Sequence, residues 1–105
     1  ILLSEKNKKI KNNISELKLK ITPILLKNKV KKAGLFGSYS RGENKKGSDV
    51  DILVQIEDKN MSLIGFIKLK LALEESLGKE VDLVEYNSLK PIIKKRILNE
   101  EIRIL

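Results

Sequence analysis

The segment from Val50 to Ile56 constrains the fold of this chain most strongly. Val50, Ile52, Val54 and Ile56 share one face, and Asp51, Leu53 and Gln55 share the other, a pattern typical of a β-strand. Residues 80–86 form a second predicted strand, around the run Val-Asp-Leu-Val. Between the two lies a predicted helix, residues 63–77, with Ser62 as a possible N-cap and Gly78 as its C-terminal stop. A helix in this connection allows the two strands to be parallel neighbours in one sheet.

The remaining elements follow from the same kind of pattern. An amphipathic helix is predicted from about residue 4, because apolar residues recur at helical spacing (Ile10, Ile14, Leu17, Ile21). Pro23 either kinks this helix or opens a second helical piece over 24–28. Residues 31–36 are predicted as a strand, 37–48 as a loop and 102–105 as an extended or frayed tail. A last helix is expected to reach about Asn99, capped by Ser88 and with Pro91 in its first turns.

Together these elements predict a single α/β or α+β domain over residues 1–105. A small mixed β-sheet would pack against flanking helices. We divide the domain into a basic N-terminal helical segment, residues 1–30, and a core that contains the sheet and the candidate site, residues 31–105. A chain of 105 residues is long enough for one modest core, and its apolar runs are too short for a membrane span.

The composition removes most kinds of catalytic site. The sequence contains neither cysteine nor histidine. Disulfides, thiolate nucleophiles, zinc–thiolate sites and imidazole bases are therefore excluded, and every Ser-His or Cys-His triad with them. Any chemistry must come from carboxylates, hydroxyls, lysine, arginine and the backbone. The absence of cysteine also favours a cytoplasmic protein.

The formal net charge of +8 suggests nucleic-acid binding at first. Residues 1–32, however, hold ten lysines against Glu5 and Glu16, whereas residues 33–105 hold equal numbers of basic and acidic side chains. The surplus therefore belongs to the N-terminal helix, where a solvated lysine face explains it. The four aromatic residues do not interleave with basic ones as a stacking platform would, so direct nucleic-acid binding is not favoured.

Three aspartates stand where strands would ordinarily carry other residues. Asp49 and Asp51 lie two positions apart at the start of one predicted strand, and Asp82 lies inside the next. Acidic residues are disfavoured in strands, and like charges held close repel each other unless a cation lies between them. Capping or pairing with lysine could explain Asp49 but explains Asp51 and Asp82 poorly. A Mg²⁺ site resolves the conflict, because carboxylate oxygens are the ligands that this ion prefers.

The segment Gly37-Ser38-Tyr39-Ser40-Arg41-Gly42 directly follows a predicted strand. Glycine allows the backbone to approach a phosphate closely, Ser38 offers a hydroxyl and an N–H, and Arg41 could bind phosphate as a fork. In isolation such a turn usually means only a turn. Beside acids able to hold Mg²⁺, it predicts half of a nucleoside-triphosphate site. The sequence contains neither a P-loop nor a G-x-G-x-x-G motif.

The combined pattern resembles the DNA polymerase beta-like nucleotidyltransferases. It consists of Gly37-Ser38, ten intervening residues, Asp49-Val50-Asp51, and a third aspartate on a later strand. Within that superfamily the chain is most similar to the minimal nucleotidyltransferases, the MNT half of HEPN/MNT toxin–antitoxin pairs. The resemblance covers most of the chain, through LFGSYSRG, GSDVDILV and LEESLGKEVDLVEY.

The resemblance implies a role for each matching residue. Asp49 and Asp51 would bind both of two Mg²⁺ ions. Asp82 would bind the catalytic ion and help to activate the attacking hydroxyl. Gly37 and Ser38 would hold the triphosphate of ATP, with Arg41 near it. Two metal ions can stabilise the attacking and leaving oxygens of an in-line displacement without any histidine.

The implied function is that of an antitoxin enzyme. It would transfer AMP from ATP to a hydroxyl, a tyrosine in the family, of a HEPN ribonuclease toxin with which it forms a hetero-oligomer. One alternative is an antitoxin that neutralises its toxin by binding alone. Another is a nucleotidyltransferase for a small molecule or nucleic acid, which would need a partner subunit to bind that substrate. A plain nucleic-acid-binding module is the least supported of these.

Overall fold

The computed structural model describes residues 2–43 and 49–105, with side chains described from residue 14 onward. Three α-helices and four strands follow one another along these residues. The helices are α1 (Leu2–Lys27), α2 (Leu63–Leu77) and α3 (Pro91–Glu100). The strands are β1 (Val30–Phe36), β2 (Val50–Ile56), β3 (Val81–Glu85) and β4 (Ile102–Arg103). Ser48, at the end of the predicted loop, lies outside the described residues.

The four strands form one mixed sheet in the order β3-β2-β1-β4. The β2–β3 pair is parallel, as the intervening helix predicted, whereas β1 is antiparallel to both β2 and β4. The predicted mixed α/β architecture is therefore confirmed. The division into an N-terminal segment and a core stays a prediction.

Helix α1 packs on one face of the sheet through apolar residues at helical spacing. Leu17, Ile21 and Leu25 are buried, and Ile14 is half-buried against the same core, whereas the side chain of Ile10 lies outside the described set. Pro23 stands within a continuous helix rather than at the start of a second one. The helix ends where Asn28 Nδ2 donates to the Ile24 carbonyl (2.8 Å) and Lys29 adopts a left-handed conformation (φ 59°).

Helix α2 begins and ends where the sequence predicts. The Ser62 hydroxyl accepts a hydrogen bond from the backbone N–H of Gly65 (3.0 Å), and Gly78 closes the helix in the left-handed region (φ 65°). Leu69 and Leu73 are buried beside the α1 residues. Glu74 Oε2 accepts from the backbone N–H of Val81 (2.9 Å), which ties the helix to the first residue of β3.

The start of α3 differs from the prediction, whereas the C-terminal tail takes the extended form, one of the two that were expected. Ser88 does not cap α3, because its hydroxyl donates to the Glu85 carbonyl (2.8 Å) and closes a 3-10 turn over Tyr86–Ser88. Lys90 occupies the cap position, and Pro91 is the first helical residue. The tail is not frayed: Ile104 N–H donates to the Ala33 carbonyl (2.9 Å), and β4 adds a fourth strand beside β1.

A smaller buried group lies on the sheet face opposite α1 and α2. Leu53 is fully buried, Tyr86 is 4% exposed, and the side chain of Glu101 is also 4% exposed. Gly34 makes room for this carboxylate, since a Cβ at residue 34 would stand 2.6 Å from Glu101 Cγ. Burial, and next the Glu101 carboxylate, raise the pKa of the Tyr86 hydroxyl. The C-terminal strand is thus held by a second, partly polar core.

We expect Gly34→Ala to lower the free energy of unfolding by about 1–3 kcal/mol, because the new methyl group displaces a buried side chain. Chemical denaturation measures the change. In a Glu101→Ala background the same substitution should be neutral or stabilising, because the collision is gone and alanine is favoured over glycine within a strand. An equal loss in both backgrounds would show that Glu101 is not the obstacle.

Candidate active site

The candidate site lies at one end of the strands, where β1 ends and β2 and β3 begin. In the antiparallel pair β1–β2, Phe36 is opposite Asp51, and in the parallel pair β2–β3, Asp51 is beside Asp82. Paired residues on adjacent strands share a face, and adjacent strands lie about 4.8 Å apart. The sheet register therefore brings Asp51 and Asp82 together on the face opposite α1 and α2. Asp49 is exposed and immediately precedes β2.

Gly37, the first residue after β1, packs directly against the Asp51 carboxylate. Its backbone is in the left-handed region (φ 70°), which favours glycine. A Cβ at this position would also overlap Oδ2 of Asp51 and stand 3.0 Å from its Cγ. Glycine is thus required here for two independent reasons. The sequence suggested that Gly37 makes room for a phosphate; the group against it in the structure is the Asp51 carboxylate.

The turn after Gly37 is fixed by its own hydrogen bonds. The Gly37 carbonyl accepts from the backbone N–H of Arg41 (3.2 Å) and from the Ser40 hydroxyl (2.9 Å), and the Ser38 carbonyl accepts from Glu43 N–H (2.8 Å). Tyr39 is 4% exposed and belongs to the main apolar core. The buried ring anchors the turn, so Ser38 and Arg41 are held beside the start of β2, which carries Asp51.

Arg41 is exposed and pairs with two carboxylates that the sequence analysis did not identify. Its Nε lies 3.1 Å from Glu43 Oε2, and its Nη1 lies 3.4 Å from Glu100 Oε2. The hydrogen bond with Glu43, and then both carboxylate charges, raise the pKa of the guanidinium. Glu43 could have been suspected from its place two residues after Arg41. Glu100 lies 59 residues away, and no local pattern links it to this turn.

The acids of the site act on one another. Burial, and next the charges of Asp82 and Asp49, raise the pKa of the Asp51 carboxyl, whereas the charge of Arg41 opposes them. The charges of three other predicted site residues therefore act on the Asp51 carboxyl. Its ionised form is less favourable in the folded protein than in the unfolded chain.

The donor set fits a magnesium ion in its chemistry. Carboxylate oxygens are hard ligands, and a divalent cation would relieve the repulsion that Asp51 experiences. Within residues 14–43 and 49–105, no three acidic side chains are grouped closely enough to hold one ion. The convergence of Asp49, Asp51 and Asp82 on one metal therefore stays a prediction.

The family of the chain follows from its sequence relatives. Residues 19–105, which include every candidate site residue, match the model of the polymerase beta nucleotidyltransferase domain. The chain belongs to this nucleotidyltransferase family. The match confirms the resemblance inferred from Gly37-Ser38, Asp49-Val50-Asp51 and Asp82.

Two relatives are similar over most of their length. A Methanocaldococcus jannaschii protein named "Putative protein adenylyltransferase" is 55% identical over 93 residues, which are 89% of this nucleotidyltransferase and 99% of the relative. The protein adenylyltransferase MntA of Thermococcus cleftensis is 51% identical over 71% of this chain and 75% of its own. Both relatives are thus named as enzymes of one kind, protein adenylyltransferases.

Two solved structures have a similar fold. A toxin–antitoxin complex with AMP-PNP matches with a TM-score of 0.73 and 30% identity, over 84% of this nucleotidyltransferase and 72% of that chain. A complex of a tri-AMPylated Shewanella oneidensis HEPN toxin with an MNT antitoxin matches with a TM-score of 0.68 and 26% identity, over 88% and 71% of the two chains. In the part of this chain that the structure describes, no helix is long and apolar enough to cross a membrane.

We expect Asp51→Asn to raise the free energy of unfolding at pH 7. The folded state raises the pKa of Asp51, so its ionisation destabilises the fold, and the amide removes that charge without changing the side-chain shape. The gain should shrink as the pH falls below about 4, the ordinary pKa of aspartate, and should vanish at about pH 3, where the carboxyl is protonated in most folded and unfolded chains alike. Urea denaturation across this pH range measures it. Asp58→Asn, on the loop after β2, controls for net charge; a smaller gain for Asp51→Asn than for this control would contradict the prediction.

Proposed function

We propose that this nucleotidyltransferase is an antitoxin enzyme that transfers AMP from ATP to a tyrosine hydroxyl of a HEPN-type toxin and thereby neutralises it. The observation that carries the proposal is the pairing of Asp51 with Asp82 directly beside the Gly37 turn. The named activity of the Thermococcus relative and the tri-AMPylated toxin in the Shewanella complex support the choice of reaction and partner. A hetero-oligomer with the toxin follows from the same complexes.

The reaction would proceed by a single in-line displacement. The acceptor oxygen attacks the α-phosphorus of ATP, the bond between that phosphorus and the bridging oxygen breaks, and pyrophosphate leaves with the bond electrons. Asp82 would take part in removing the proton of the attacking hydroxyl. Gly37 and Ser38 would hold the triphosphate, and Arg41 would bind it from the exposed side of the turn. The AMP-PNP complex among the similar structures supports a nucleotide substrate.

Magnesium belongs to the proposal through the chemistry of the acids. Asp49, Asp51 and Asp82 would hold two Mg²⁺ ions, which would stabilise negative charge on the attacking and leaving oxygens. The raised pKa of Asp51 supports a bound cation, because a cation favours the ionised carboxylate that like charges and burial disfavour. We place the enzyme in the cytoplasm, where ATP and Mg²⁺ are available and a chain without cysteine needs no oxidising environment.

Transfer of labelled AMP from ATP to the purified cognate toxin tests the reaction. We expect Asp51→Asn and Asp82→Asn to reduce the transfer rate by at least about 10²-fold, because each removes a group that acts on the reacting atoms. Asp58→Asn should retain the wild-type rate. If the intact protein with Mg²⁺ and its toxin gives no labelled product, the proposed reaction is wrong.

The metal has a test that does not depend on activity. Mg²⁺ with a non-hydrolysable ATP analogue should raise the melting temperature of the wild-type protein, because a ligand of the folded state adds RT ln(1 + [L]/Kd) to its stability. Asp51→Asn should lose most of this increase, whereas Asp58→Asn should keep it. Equal increases in all three proteins would place the bound metal–nucleotide complex away from Asp51.

Neutralisation by binding alone is a second candidate, and one surface favours it. Helix α2 exposes four large apolar side chains at helical spacing, Leu63, Ile64, Ile67 and Leu71. Such a stripe is typical of a protein–protein interface. Expression of Asp51→Asn together with the toxin separates the two mechanisms: cells that stay protected without transfer indicate binding, and cells that die indicate catalysis.

A further inference from the structure

Arg41, the residue proposed to bind the triphosphate, has its charge already compensated in the structure. Its guanidinium contacts Glu43 on the turn itself and Glu100 at the end of α3. Two carboxylates on one guanidinium leave a net negative group where a polyphosphate would approach. A phosphate that binds Arg41 must therefore displace at least one of these carboxylates or share its donors.

Glu100 is held in place by its neighbours in the chain. It is the last residue of α3, and β4 starts two residues later with Ile102 paired to Leu35. Glu101 between them has its side chain buried against Gly34. The backbone that carries Glu100 is thus anchored to the sheet on which Asp51 lies. The contact with Arg41 joins two segments whose positions are each fixed independently.

The position of Arg41 connects this contact to the site. Its N–H is bonded to the Gly37 carbonyl, the residue packed against the Asp51 carboxylate. Its charge also reaches Asp51, since it opposes the rise in the pKa of that carboxyl. A change in the carboxylate that pairs with Arg41 would therefore alter the charge beside Asp51 and the Gly37 turn.

We propose that Glu100 is a positioning residue that holds Arg41 in the free enzyme and competes with the triphosphate for it, so that it sets the affinity for ATP. The inference rests on the proposed function and concerns the regulation of the same site. Because the pair is exposed, its strength is modest, and loss of the competition should tighten triphosphate binding by about two- to fivefold.

Calorimetric titration of the full chain with AMP-PNP and Mg²⁺ tests the competition. Glu100→Gln should bind the analogue about two- to fivefold more tightly than wild type. Glu100→Asp keeps the charge but withdraws it by one methylene, so it should also bind more tightly. In an Arg41→Gln background, neither substitution should change the affinity.

With the toxin as acceptor, Glu100→Gln should lower the KM for ATP and leave kcat unchanged, a split that a structural defect would not produce. Glu75→Gln on α2 is the control for charge.

Each other outcome overturns the inference. An equal gain in the Arg41→Gln background would show a general effect of charge, and so would wild-type affinity in Glu100→Asp. Weaker binding by Glu100→Gln would show that Glu100 orients Arg41 for phosphate instead of competing with it. If wild type binds the analogue and Glu100→Gln binds it equally, this inference alone fails. If wild type does not bind it at all, the proposed function fails as well.

Discussion

The register between β2 and β3 is the constraint on which the site depends. It sets Asp51 beside Asp82, an arrangement that repulsion and burial both oppose. The same register pairs Ile52 with Leu83, and Val50 with Val81, in the main core. Slipping one strand by a single residue would move the apolar side chains of that strand to the opposite face. The apolar pairs therefore hold the two carboxylates together at an edge where their own interaction would separate them.

Two glycines, one within β1 and one directly after it, permit close contacts on the sheet face opposite α1 and α2. Gly37 leaves space for the Asp51 carboxylate, and Gly34, three residues earlier, leaves space for the buried Glu101 side chain. The first contact shapes the site directly. The second anchors β4, and with it the end of α3 that carries Glu100. A larger residue at position 37 would displace the Asp51 carboxylate, and one at position 34 would displace the Glu101 carboxylate.

The sequence predicted most strongly those parts whose signals are local. Helix α2 has its cap, its apolar spacing and its terminal glycine within seventeen consecutive residues (62–78), and its predicted boundaries are confirmed. Asp51 and Asp82 stood out because each interrupts an apolar strand. The crossover through α2 predicted that their strands are parallel neighbours. The register that sets Asp51 beside Asp82 was not predicted and comes from the structure.

The missed features depend on contacts between distant residues. The extended tail was one of two expectations, but its pairing with β1, which makes two of its residues a strand, was not predicted. Ser88 is a residue type that often caps helices, but its hydroxyl donates to the Glu85 carbonyl within the 3-10 turn instead. Glu100 lies 59 residues from Arg41 in the chain, and only the tertiary structure brings the two together. None of these contacts has a periodicity or a motif of its own, so each requires the tertiary structure.

The balance of charge at the site suggests why metal ions and ATP would enter together. Asp51 lies beside Asp82 and feels the charges of Asp49 and Arg41, and the Arg41 guanidinium pairs with Glu43 and Glu100. A bare triphosphate would meet more negative than positive charge there, and the lysines of residues 1–32 lie outside the motif region. A triphosphate that carries Mg²⁺ brings the missing positive charge with it. The carboxylates that repel the free nucleotide would then bind its metal complex, and the proposed site would select the form of ATP that can react.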